Sequence, residues 1–473
     1  VAESLWMIDA FARETLLFAS VGLFIGGVDD LLVDLLFLGQ RLRQGRRRRL
    51  SIATLPPPRS VGRIAVFVAA WDEAAVIGGM LSTALDRYDH DDYRIYVGAY
   101  PNDRETIDAV AAVAERDARV RLVIGLRDGP TTKADCLNTV WHAMRRDDAR
   151  EVVGTKAIVL HDAEDVVHAQ ELRVFDSLID QYEVVQLPVL PLVHRGSRLV
   201  SGHYADEFAE SHAKQIVVRT ALGAGMPLAG TGCAIAPDVL AMIAQARGGD
   251  PFDASSLTED YELGLRLAEL GARGIFARVA TADAGTVVAV RAYFPGTMRE
   301  SIRQKTRWMT GIALAGWDRT GWARPRAFAD HWMRMRDRRA PLAVVVLAVA
   351  YVAMPLWAMS LVIHWLIGEP APLANAYPIA FWLFVANAAL LGWRLALRML
   401  FTGRSYGFRE ALWSLPRFVV GNLVSLIAAP NAVLRYVGML RGAAPVWDKT
   451  RHEFPDLSPA TPPGLECEAA ERG

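Results

Sequence analysis

Apolar and polar positions fall into three regimes along the chain. Residues 15–28, TLLFASVGLFIGGV, form an apolar run of marginal spanning length, extended on its N-terminal side by LWMIDAFA. Runs at 341–368 and 376–401 are longer and predict two further membrane helices. Between about 60 and 330 no run is long enough to span. Short apolar stretches there, RIAVFVAA (63–70), RIYVGAY (94–100), VRLVIGL (120–126) and KAIVLHD (156–162), alternate with amphipathic segments such as EAAVIGGMLSTAL and ETIDAVAAVAERD. That alternation predicts an α/β domain, a parallel sheet with crossover helices and ligands at the carboxyl ends of its strands. A last apolar segment, 417–440, contains Asn422 and Asn431, is expected to break at Pro430, and has basic residues on both flanks. It is expected to lie in the interface or re-enter rather than cross, which leaves about three spans.

Charge orients this plan. Net charge is zero, which speaks against a nucleic-acid partner, but RLRQGRRRR (41–49) concentrates six arginines just after the first apolar run. A cleaved leader carries its positive charge before the apolar core; here it follows, so a signal anchor with its C-terminal end in the cytoplasm is expected. RMRDRR before the second run, and Arg394, Arg398 and Arg404 after the third, place the 60–330 region and the C-terminus on that same side of the inner (plasma) membrane. Asp29, Asp30 and Asp34 are costly in hydrocarbon and must sit at the interface or pack on other helices. Cys136, Cys233 and Cys467 are too scattered for a disulfide framework or a zinc site. The expected division is an anchor with a basic flank (1–50), a catalytic domain (60–320), transmembrane and interfacial helices (321–445) and a Pro-rich tail (446–473).

Three strand ends carry acids: WDEAA with Asp72 and Glu73, PNDRET with Asp103, and HDAED with Asp162, Glu164 and Asp165. The last cluster can cap the next helix, where acids meet the positive end of the dipole, or it can hold a cation. His161 beside it is expected to be a structural histidine.

Five motifs in order then resemble the membrane-bound family 2 glycosyltransferases, the group of cellulose, chitin and hyaluronan synthases with a GT-A, Rossmann-like nucleotide-sugar domain. HDAED stands where that family has its Asp-x-Asp metal motif. TTKADCLN (131–138), AGTGCAI (229–235), LTEDYELGLRL (257–267) and QKTRW (304–308) follow in family order. The resemblance implies Mg²⁺ or Mn²⁺ on Asp162 with Glu164 or Asp165, and Lys133 at a phosphate. It implies Asp72, Glu73 and Asp103 at the nucleotide, and Gly230, Thr231, Gly232 and Trp308 at the acceptor. Asp260 is the implied general base with Glu259 beside it, while Gln304 and Arg307 face the diphosphate. Read without the resemblance, TEDYE is an ordinary helix start capped by Thr258. Gln304, Arg307 and Trp308 share one helix face by spacing alone.

The second motif departs from the family in having only Asp103 as a clear acid, and Glu164 replaces the second Asp of the metal motif. WDE, YPND, HDAED and VWDKTRHEFP look most like a phage-adsorption branch of the family, which commonly continues into a cyclic-di-GMP-sensing domain that this chain is expected to lack. The function implied is an inverting transferase that uses a UDP-sugar, by analogy a UDP-N-acetylhexosamine. It would polymerise an exopolysaccharide that can serve as a phage receptor, and pass the growing glycan outward with an outer-membrane or periplasmic partner. The alternatives are single transfer to a lipid carrier and an inactive scaffold.

Overall fold

A computed structural model describes residues 2–44, 50–281, 285–370, 378–443 and 452–455. The 45–49 part of the arginine run and the tail beyond Pro455, with Cys467, lie outside the described residues. The first helix, α1 (Ala2–Gln44), is continuous. The domain proper alternates β1 (Arg63–Ala69), α2 (Ile77–Arg87), β2 (Tyr93–Ala99), α3 (Arg104–Ala114), β3 (Val120–Ile124), α4 (Lys133–Asp148), β4 (Thr155–His161) and α5 (Glu171–Leu178). Next come β5 (Val184–Gln186), α6 (Val200–Glu210), α7 (Ile216–Ala221), β6 (Cys233–Ile235), α8 (Pro237–Ala246), α9 (Glu259–Glu269) and β7 (Gly274–Phe276). α10 (Met298–Trp308), α11 (Gly316–Thr320) and α12 (Phe328–Arg338) lead into α13 (Ala340–Ile367), α14 (Pro378–Tyr406) and α15 (Phe408–Leu440). Wide π-type turns at Ser211–Gln215 and Met309–Ala315 carry α6 into α7 and α10 into α11.

The seven strands run in the order β3-β2-β1-β4-β6-β5-β7. β1 to β4 are parallel, as the alternation predicts, and both faces are covered, so β1 and β4 are nearly continuous apolar runs. The expectation of a wholly parallel sheet needs correcting. β6 runs antiparallel to both β4 and β5, with Leu160 opposite Cys233. The chain reverses into β6 through Gly230 and Gly232, whose φ values of +76° and +59° suit glycine best. Three residues are too few to show a period.

Among the described residues, four helices are long and apolar enough to cross a membrane: Leu5–Arg43, Ala340–Ile367, Phe381–Tyr406 and Phe408–Leu440. The last corrects the expected break at Pro430, because α15 continues through both Pro416 and Pro430. Neighbouring hydroxyls support that stretch: Thr306 and Thr310 reach the carbonyls of Ala428 and Ala432, each at 3.4 Å.

The acids of α1 pack on other helices. Asp29 accepts from Trp332 Nε1 at 2.7 Å and pairs with Arg336 and Arg339. Asp30 pairs with Arg336, Arg339 and Arg394. Asp34 pairs with Lys214 and accepts from Trp393 Nε1 at 2.9 Å.

Candidate active site

A cavity of about 580 Å³ opens where β1 and β4 end, bounded by the turn before α9 and by α10. One half is lined by Glu73, Lys133, Asp162, Glu164, Asp165 and His452, the other by Gly230, Thr231, Glu259, Asp260, Gln304, Arg307 and Trp308. The structure therefore brings together most of the residues singled out from sequence. Asp72, Asp103 and Gly232 are not on its wall. Asp103 instead caps α3, accepting from the Thr106 N–H, and also accepts from the Asp72 N–H at 2.6 Å. That bond holds Asp72 at φ +54°, a left-handed conformation rare for a residue with a side chain. Gly232 donates its N–H to the Leu160 carbonyl, and a Cβ there would lie 2.6 Å from Val290 Cγ2.

At the end of β4, His161 is fully buried, with Asp165 Oδ2 2.8 Å from one ring nitrogen and Glu171 Oε1 2.7 Å from the other. Burial alone would lower its pKa, but Glu171 and Asp165 more than offset this and raise it to about 10. Asp165 also accepts from the Asp162 N–H at 2.9 Å and from the Thr231 hydroxyl. Asp165 thus braces the loop that presents Asp162 and Glu164, with Oδ2 already committed to three donors.

Lys133 opens α4, which Thr132 caps by accepting from the Asp135 N–H. Its ammonium pairs with Asp162 and donates to the Gly230 carbonyl at 3.3 Å. Burial would lower its pKa; Asp162 and Glu259 outweigh that, so it is raised.

Two acids meet one imidazole in this half of the cavity. His452 Nδ1 lies 2.9 Å from Glu73 Oε1 and 3.2 Å from Glu164 Oε2, and ligand atoms of all three residues fall within 4.8 Å of one another. Burial pushes Glu164 up to about 8, with Asp162 and Glu73 adding to it and His452 opposing. Buried carboxylates that repel each other, joined by an imidazole, are a donor set for a hard divalent cation of the Mg²⁺ or Mn²⁺ class. Glu73, expected at the nucleotide, thereby also joins the candidate metal ligands. Sequence reasoning missed His452, because nothing near it in the chain marks it as a ligand.

In the other half, Gly230 is required for close approach: a Cβ at that position would lie 2.7 Å from Asp260 Oδ2. Asp260 is half-buried, and the loss of solvation there together with the adjacent Glu259 carboxylate pushes it up to about 7. Thr258 occupies the cap position of α9 but makes no side-chain cap, so the plain capping reading of TEDYE does not describe this turn. Trp308 packs among Tyr204, Phe208 and Phe294, with ring centroids 5.9, 6.3 and 6.4 Å away. These three aromatics were also missed; they come from α6 and from the strap before α10. Gln304 Oε1 and Arg307 Nε are buried and have no hydrogen-bond partner among the described residues. Buried polar atoms left open at a cavity wall are groups kept for a ligand.

Residues 58–311 match the family described as "Glycosyltransferase like family 2". Bacteriophage adsorption protein B of Escherichia coli (strain K12) is 32% identical over 96% of this chain and 64% of its own length. The Bacteriophage N4 adsorption protein B of Escherichia coli O157:H7 gives the same figures. The chain thus spans 64% of the length of these relatives. Among solved structures, the mannosyltransferase PcManGT from Pyrobaculum calidifontis, in complex with GDP-Man and Mn²⁺, is 17% identical and similar in fold. Its TM-score is 0.52, and the match covers 91% of this chain and 99% of that one.

Proposed function

This chain belongs to glycosyltransferase family 2, and from that premise we propose that it is an inverting, divalent-cation-dependent enzyme of the inner membrane that extends a glycan from a UDP-sugar on the cytoplasmic side. The observation that carries this reading is the single cavity in which Asp162, Glu164 and Lys133 face Asp260, Gln304, Arg307 and Trp308. One half suits a nucleoside diphosphate, the other a hydroxyl nucleophile on a sugar.

Sugar transfer breaks an anomeric C–O bond and leaves negative charge on the diphosphate. A divalent cation on Asp162, Glu164, Glu73 and His452 would supply charge stabilisation to that leaving group. Lys133 adds a second positive charge there, and Arg307 a planar fork for phosphate oxygens. Asp260 accepts the proton of the attacking hydroxyl; held near neutrality it is a base suited to that task. Glu259 beside it keeps Asp260 from becoming too acidic to accept a proton. Trp308 offers a flat apolar face for the sugar ring. One base and one displacement invert the anomeric carbon.

The product we propose is an exopolysaccharide exported with an envelope partner; similarity to proteins named for phage adsorption supports a product exposed at the cell surface. Transfer of one sugar to a lipid carrier is the second reading. It is favoured by the low burial of the four long helices, 0–22% across their most apolar stretches, since such helices expose most of their surface to lipid rather than enclose a path.

The test is nucleoside diphosphate release by the chain in nanodiscs, from a panel of UDP- and GDP-sugars with Mn²⁺ or Mg²⁺. Release with one donor, abolished by a chelator and by Asp260→Asn, supports the proposal, and product size separates polymer from single transfer. Absence of both release and nucleotide binding would return the chain to the scaffold reading.

A further inference from the structure

The short segment His452–Pro455 touches the site with two consecutive residues and the core beside it with a third. His452 meets Glu73 and Glu164. Glu453 Oε2 lies 3.1 Å from His194 Nε2. Phe454 packs into the core beneath β1 and α2, against Gly79.

Gly79 lies inside α2, where glycine is a poor helix residue, and no turn or positive φ calls for it. A Cβ there would meet Phe454 Cδ1 at 3.0 Å and Cε1 at 3.4 Å. The missing side chain leaves a notch that the Phe454 ring fills.

His194 heads a loop that lines the acceptor half through His194, Gly196 and Ser197. Its backbone N–H donates to Ser201 Oγ at 2.8 Å, its Nδ1 accepts from the Gly196 N–H at 3.1 Å, and Ser197 Oγ donates to the Gly296 carbonyl. The loop is thus organised around the residue that Glu453 holds. An exposed pair of this kind is weak alone, so it acts only while something else keeps Glu453 in place. Phe454 does that.

We infer that His452–Pro455 is a docked strap: Phe454, seated in the Gly79 notch, brings His452 to the donor carboxylates and Glu453 to the acceptor-side loop, so that donor loading and acceptor-loop order are linked through this segment. The inference rests on the sugar-transfer reading of the cavity. Glu453, Phe454 and Gly79 are positioning residues.

The test uses the full chain in nanodiscs with Mn²⁺ as the probe, read by metal affinity, by amide hydrogen exchange over residues 194–201 and by thermal unfolding. Phe454→Ala and Gly79→Leu should each weaken Mn²⁺ binding by about tenfold or more, the scale seen when residues that orient metal ligands are removed. Gly79→Leu should not lower the unfolding midpoint, because leucine is the better helix former. Mn²⁺ should slow exchange in the loop by about threefold or more in the parent. That slowing should vanish in Glu453→Gln, with Mn²⁺ affinity kept within about twofold, and persist in Glu453→Asp, which retains the charge. Unchanged Mn²⁺ affinity in both Phe454→Ala and Gly79→Leu overturns the strap. Loop protection that survives in Glu453→Gln overturns the linkage. A parent chain that binds neither Mn²⁺ nor a nucleoside diphosphate overturns the sugar-transfer reading, and the strap with it. Binding without a response from the variants overturns the strap alone.

Discussion

The Lys133 ammonium pairs with Asp162 at the end of β4 and at the same time donates to the Gly230 carbonyl across the cavity at 3.3 Å. One side chain thus ties the donor half to the glycine turn that admits Asp260. In Lys133→Met, Asp162, Glu259 and Asp260 lose their shared cation. A charged hydrogen bond of this kind is worth about 1.5–3 kcal/mol, so nucleoside diphosphate binding should weaken roughly 10- to 100-fold by calorimetry.

Asp260 supplies a pH signature. Its pKa is raised from an ordinary 3.8 to about 7, so the carboxylate needed as base is scarce below that pH. Transfer rate should climb with pH up to about 7 and level off above it. Stability runs the other way. The folded state holds this proton more tightly than the unfolded chain, so the site's contribution is largest at low pH and falls as pH rises from about 4 towards 7. Asp260→Asn should cost about 10²- to 10⁴-fold in rate and remove the inflection, without lowering the unfolding midpoint.

Gly311 sits in the wide turn after Trp308, and a Cβ there would lie 2.6 Å from both Thr258 Cγ2 and Oγ1. Thr258 immediately precedes Glu259 and Asp260. Gly311→Ala should displace that turn and cut the transfer rate by roughly tenfold or more, since misplacement by a fraction of an ångström is enough. Nucleotide affinity should change little. A loss of equal size in both measurements would mean that the turn does not act through Asp260.

Glu164→Gln separates function from stability. It replaces a buried carboxyl that Asp162 and Glu73 keep from ionising below about pH 8 with a neutral amide, so the cation-free protein should unfold at the same or a higher temperature. Mn²⁺ should raise the unfolding midpoint of the parent and have little effect on the variant, with affinity lower by about tenfold or more.

Arg417 of α15 is fully buried between Asp206 and Glu410, and the absent side chain of Gly202 makes room for its guanidinium. Arg417→Met would leave the buried Asp206 carboxylate without its ion-pair partner and Glu410 with Arg198 alone, at a cost of about 3–5 kcal/mol. The expected result is poor recovery of folded protein from the membrane, measured by size-exclusion profile, and partial recovery when Asp206→Asn is added.

Much of this was legible from residue order. The four parallel strands were visible because each is a run of five to seven residues ending in polar ones. The motif residues 133, 162, 230 and 260 reach one cavity because each lies next to the start or end of a regular element, and 304, 307 and 308 because they share one face of α10. Other features depend on distances that no local pattern carries. β6 and β7 have three residues each, and His452 reaches Glu73 across almost the whole chain. Asp103, expected at the nucleotide, also caps α3, and an acid that follows a strand carries no local mark of that second task. α15 looked broken because proline and asparagine are judged against an isolated helix, whereas Thr306 and Thr310 come from elsewhere to support it.

The acids of α1 carry a practical consequence. Asp29 and Asp30 answer Arg336, Arg339 and Arg394, which belong to elements separated from them by the whole catalytic domain, and Asp34 answers Lys214 within that domain. The first helix is therefore not an exchangeable tether. Trimming it to obtain a soluble enzyme, or replacing it with a generic membrane anchor, would take Asp29 and Asp30 from three arginines at the seam and leave Lys214 with Glu210 alone, and the half meant to be liberated would lose its own foundation.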